Sequence, residues 1–147
     1  MLLETLIKLF KRDLTKLKVE IDLYKNENNL WIIEKGVTNS AGNLCLHLVG
    51  NLNAFIGAEL GDTGYIRQRD LEFSLKDVPR VELVNQIDDT ILMVENVLSK
   101  LTINDLEKNF PIDVFKEKMT TGFFLVHLST HLAYHLGQIN YHRRLLD

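Results

Sequence analysis

The chemistry in this chain is concentrated in its histidines. Five occur in 147 residues, and four of them, His127, His131, His135 and His142, stand in one stretch, GFFLVHLSTHLAYHLGQINYHRRLL. On an α-helix turning about 100° per residue, all four fall within a sector of about 80°. Leu128, Leu132, Leu136 and Ile139 flank this stripe on one side, and Phe123, Tyr134 and Tyr141 on the other. The pattern places the imidazoles down the middle of an apolar face, where each ring nitrogen needs a partner. One such histidine is commonly satisfied by a carbonyl or a hydroxyl. Several in register are satisfied together by a divalent cation, which takes a lone pair from neutral imidazole and leaves the other ring nitrogen to donate a hydrogen bond. Histidines four residues apart stand one turn above each other and can present both rings to one ion. The fifth, His47, lies in a second apolar stretch, NLCLHLVGNLNAFIGAEL, flanked by Asn51, Ala54 and Ala58, whose size leaves room for an ion or ligand between helices. Facing helices often donate to one central site. Three imidazoles would leave coordination positions open, as in catalytic rather than structural sites.

The elements that must position these rings read as helices throughout. Leu3, Leu6, Ile7, Phe10, Leu14, Leu17, Ile21 and Tyr24 recur at steps of three and four, with Lys8, Lys11, Arg12, Lys16 and Lys18 on the wet side. Asn26 to Asn29 ends this helix with turn formers. A second helix is expected from a cap at Asn39 or Ser40 to Leu60, stopped by Gly61 and buried nearly all round. Gly61 to Val78 reads as a long polar connection. Pro79 suits the first turn of a third helix, capped by Asp77, with a seam at Val84, Ile87, Ile91, Val94, Leu98 and Leu101. Thr102 to Met119 is a second connection with a short turn at Asn104 to Glu107, and the last helix spans Thr121 to Leu146. No strand-like alternation persists. The expected architecture is all-α, one domain over residues 1–147, an antiparallel four-helix bundle with a long connection between its second and third helices.

Composition narrows the function. A net charge of -3 gives no basic face for nucleic acid. The single cysteine, Cys45, forbids an internal disulfide and suits a reducing cytosol. It sits about 160° around the helix from His47 and reads as a core residue rather than a ligand. Glu4 interrupts the apolar start and no small-residue cleavage site follows, so no signal peptide is expected, and no membrane span. The protein is expected in the cytoplasm. Trp31 reads as a cover over one end of the bundle, and Arg67, Arg69, Asp70, Glu72 and Phe73 as a solvated charge cluster in the long connection. An arginine there would suit a substrate carboxylate. No nucleotide-binding or serine-hydrolase motif occurs.

Leu46-His47-Leu48, together with His131-Leu132-Ala133-Tyr134-His135-Leu136-Gly137-Gln138, resembles the DinB-like superfamily of metal-binding four-helix bundles, which includes the YfiT-type thiol-dependent transferases. Members show a histidine, three residues, a second histidine, then a basic residue, glycine and glutamine. Leu136 replaces the basic residue, a departure that leaves the histidines in place. The resemblance spans nearly the whole chain. It implies that His47, His131 and His135 hold a divalent metal, zinc or nickel first and manganese or iron next. His127, Gln138 and Asn51 would then line the pocket or hydrogen-bond behind the ligands, with His142 left to packing. It further implies a small-molecule substrate, with the ion binding a low-molecular-weight thiol for attack on an electrophile. The same ligands would serve a metal-dependent hydrolase, or a bundle that binds metal or a small ligand without turnover. Such bundles often pair, and the apolar second helix adds to the expectation of a homodimer.

Overall fold

The computed structural model describes residues 1–147. It is mostly helical and contains no strand; Asn109 and Thr120 form an isolated bridge. Six helices follow in order: α1 (Leu2–Leu23), α2 (Ala41–Gly61), α3 (Arg69–Ser74), α4 (Arg80–Leu98), α5 (Ile103–Glu107) and α6 (Thr121–Leu146). A 3-10 turn, Glu27–Trp31, follows α1. Helices α1 and α2 each pack against α4 and α6, and α3 lies on α2.

The core follows from the apolar spacing. Leu6, Phe10, Leu14, Leu17, Ile21 and Tyr24 of the first segment are buried, part of a connected cluster of 28 buried hydrophobic residues. In α4 the buried line is Leu83, Ile87, Thr90, Val94, Val97 and Leu98, so Val84 and Ile91 lie half-buried beside the seam. Ser40 caps α2, its hydroxyl accepting from the Asn43 N–H, and every residue from Ala41 to Leu52 is buried. By length and composition α2 could cross a membrane, but 61% of its most apolar window is buried inside the protein.

Four local expectations are corrected. Gly61 is the last helical residue, and the left-handed turn that ends α2 falls on Asp62, at φ 49°. The glycine is needed for packing instead: a Cβ there would meet Val97 Cγ2 at 2.4 Å. Asp77 does not cap α4; it has φ 57°, and the Glu27 carboxylate from across the fold accepts the Arg80 N–H. The connection before α4 contains a helix, α3, which packs on α2 through Glu72 and Phe73: Glu72 is buried there, and Phe73 reaches the His47 ring at 4.9 Å. Finally, α2 is not regular. Residues Asn53–Ala58 form a π-helical turn, in which the Asn53 side chain donates to the Val49 carbonyl and to Thr90 Oγ1. This widened turn sits directly after Asn51 and carries Phe55.

Trp31 packs flat on the start of α2, where Gly42 leaves room for the indole: a Cβ would come within 2.7 Å of three ring carbons. Gly42→Ala should therefore overpack this contact and destabilise by about 1–3 kcal/mol, partly offset by the helix preference of alanine. A lower melting temperature is expected; an unchanged one would mean that the ring is free to yield.

Candidate metal centre

Helix α6 carries its histidines along the edge of its buried face, not the middle. The centre of that face is Leu125, Leu128, Leu132 and Ile139, whereas Phe123, Tyr134 and Tyr141 are 62%, 66% and 62% exposed. Both flanks are apolar in sequence, which is why the pattern alone misplaces the axis. The edge position turns His131 and His135 toward α2 while leaving them half-buried.

There they meet His47. The Nε2 atoms of His47 and His131 stand 3.3 Å apart and those of His131 and His135 3.1 Å apart. One nitrogen from each ring fits within 4.8 Å of the other two. Metal–nitrogen bonds of roughly 2.0–2.1 Å place neighbouring ligand nitrogens about 3.0–3.4 Å apart, at octahedral and tetrahedral angles respectively. The His47–His131 and His131–His135 spacings are those of neighbouring donors around one ion.

The hydrogen bonds behind the rings set which nitrogen faces inward. His47 Nδ1 lies 3.0 Å from Glu72 Oε1, and an ionised carboxylate only accepts, so Nδ1 carries the proton and Nε2 keeps its lone pair. His135 Nδ1 likewise donates to Gln138 Oε1 at 2.7 Å. Two lone pairs therefore point at His131 Nε2, which has one hydrogen at most to offer them. The other nitrogen of His131, Nδ1, is buried with no partner. A cation bound by all three Nε2 atoms satisfies what hydrogen bonding among them cannot.

Glu72 is the residue that sequence reasoning misjudged. Only 6% exposed, it is clamped by Arg67, whose Nε and Nη2 donate to its two oxygens at 2.9 and 3.0 Å. Burial raises the carboxyl pKa, but the bonds from His47 and Arg67 outweigh it and the net direction is down. Glu72 passes over α2 at Gly50, where a Cβ would fall 2.0 Å from its Oε2. That glycine, three residues after His47 in a fully buried helix, was the one available signal.

The remaining expected residues separate. Gln138 is bonded to His135, and Asn51 lines a cavity of about 290 Å³ against His47 and His131. His127 lines the same cavity outside the three-ring cluster, with its ring between Phe124 and His131 at 5.8 and 6.3 Å. His142 is distant and structural: its Nε2–H donates to the Ile32 carbonyl and its Nδ1 accepts from the Tyr24 hydroxyl at 2.7 Å. Cys45 is fully buried, and burial pushes its thiol up to about 12.

Burial lowers the His131 pKa from 6.5 to about 4, reinforced by His135, His47, His127 and Arg67. Burial also lowers that of His135, against the opposing pull of Gln138. Both rings are thus neutral near pH 7, the state that ligates. In the metal-free protein the unfolded chain takes up a proton on His131 below about pH 6.5 that the fold resists until about pH 4. Stability should fall as pH drops through that window, and His131→Ala should lessen the slope. Urea midpoints at a series of pH values test this; equal slopes would contradict a buried neutral ring.

No curated protein matches the chain significantly. A family does: residues 2–147 match the family described as "Protein of unknown function (DUF1572)". The match spans all but the first residue, and the chain belongs to that family.

Proposed function

We propose that this protein is a divalent-metal-dependent enzyme of the DinB/YfiT-like kind, acting on a small molecule with a low-molecular-weight thiol as nucleophile. In this reading α1, α2, α4 and α6 form an antiparallel four-helix bundle, and His47, His131 and His135 hold the ion through Nε2. The observation that carries it is the convergence of three imidazole nitrogens, two of them fixed as acceptors by Glu72 and Gln138. Zinc or nickel suits this donor set best, with manganese or iron next. Bound there, the ion would lower the proton affinity of a coordinated thiol, or of water, and so provide a nucleophile at neutral pH.

The protein's own side chains have definable parts. Glu72 keeps the His47 proton on Nδ1, and Arg67 keeps Glu72 ionised. Gln138 does for His135 what Glu72 does for His47. The cavity borders His47 and His131, so a substrate held there would lie next to an ion bound by those residues. The buried free thiol of Cys45 is compatible with a cytoplasmic setting.

Metal analysis of untagged protein should give one ion per chain, and His131→Ala should remove it. Glu72→Gln, which keeps the shape and removes the charge behind His47, should weaken the ion by about 10–100-fold. Incubation with small thiols and a chlorinated or epoxide electrophile should consume both only when the metal is present. Full occupancy in His131→Ala would refute the ligand assignment. Consumption unaffected by chelation would refute the role of the ion.

The same reading includes a homodimer. Phe123, Tyr134 and Tyr141 form an exposed aromatic stripe along α6, and association would cover it. Sedimentation at micromolar concentration should give a species heavier than the 17.0 kDa chain; a monomer alone would exclude pairing.

A further inference from the structure

The cavity beside His47 and His131 is small, about 290 Å³, near the lower bound for ligand pockets and too small for a peptide. Its walls differ in chemistry. Phe55, Phe115 and Phe124 give an apolar side, with Phe115 edge-on to His127 at 5.1 Å. Asn51, Arg67 and Arg69 give a polar side. No carboxylate lines the cavity, and the nearest, Glu72, is engaged by Arg67 and His47.

Polar groups on that side lack protein partners. Asn51 is 7% exposed, and its Oδ1 is buried with no hydrogen bond. A buried amide normally has a partner, so a group of the occupant is the candidate to fill that place. Arg69 enters none of the ion pairs of the structure; its guanidinium lies over the Phe73 ring at 5.2 Å. Arg67 holds Glu72 through Nε and Nη2, which leaves Nη1 free. Since Arg67 and Glu72 neutralise each other, the charge of Arg69 is the uncompensated one.

We infer that this cavity is the subsite for a small organic carboxylate: Arg69, assisted by Arg67, takes the anionic head, the phenylalanines hold an apolar body, and Asn51 pairs with a polar group on it. The inference rests on the metal reading only for where the reacting end of that molecule lies. A bare inorganic anion would make no use of the apolar wall that the three phenylalanine rings present to the cavity, and a neutral apolar molecule would leave Arg69 and Asn51 unmatched.

Benzoate, benzamide and inorganic phosphate are suitable probes, titrated calorimetrically into the full-length protein with and without zinc. Benzoate should bind in both forms and outbind benzamide. Arg69→Gln, at an exposed position that the fold does not need, should weaken benzoate by about tenfold or more, as expected for loss of a charge-assisted hydrogen bond, and leave benzamide and zinc unchanged. Equal binding of benzoate and benzamide, or no effect of Arg69→Gln, would overturn the subsite. So would phosphate binding as tightly as benzoate. Benzoate binding only with zinc and indifferent to Arg69 would make the carboxylate a metal ligand, ending this inference while the metal reading stood. Arg69-dependent benzoate binding in a protein that takes no zinc would do the reverse.

Discussion

Three imidazole lone pairs brought within hydrogen-bonding distance repel one another unless a proton or a cation lies between them, and a single proton can serve only one pair. The arrangement of His47, His131 and His135 therefore depends on something outside the three rings to hold it. Behind His47 that support is the buried Glu72 carboxylate, itself unaffordable in an apolar setting without Arg67. The pair in turn needs a short helix to deliver Glu72 and a glycine in α2 to let it pass. One electrostatic requirement thus reaches from a ring nitrogen to the backbone of two elements.

The long helices supply rigidity rather than chemistry. The buried apolar residues of α1 and the seam of α4 carry none of the site's side chains, and they are part of the core on which α2 and α6 rest. A connected cluster of 28 buried hydrophobic residues is a far larger core than that of the small domains that collapse when their metal is removed. His142 belongs to this passive part: with both nitrogens bonded to Tyr24 and Ile32, it pins the end of α6 to the loop after α1.

The helical spacing and the histidine pattern were legible in the sequence because both are periodic. The limits of α6 followed from local signals, which also offered Ser40 beside Asn39 as the cap of α2. What was hidden depended on tertiary contact. The axis of the buried face of α6 was ambiguous because tyrosine and phenylalanine look as apolar as leucine until something packs on them. Glu72 looked like one more charge in a polar loop, since nothing in its neighbours announces that Glu72 and Phe73 pack onto α2. Asp77 looked like a cap because aspartate often is one, and the carboxylate that serves α4 comes instead from Glu27, far away in the chain.

The π-helical turn at Asn53–Ala58 has a bearing on how this chain tolerates change in length. Such a turn holds one residue more than an α-helix would need for the same advance, so it acts as a phase shifter between the two halves of α2. Upstream, the phase aims His47 and Gly50; downstream, it aims Gly61 at Val97. Removing one residue within the turn would let it close to a regular α-helix with both halves still in phase, whereas an insertion or deletion elsewhere in α2 would rotate one half against the other by about 100°. Length in this helix is therefore adjustable by one residue at the turn and fixed outside it, whereas the connections on either side of α3 have no such register to keep.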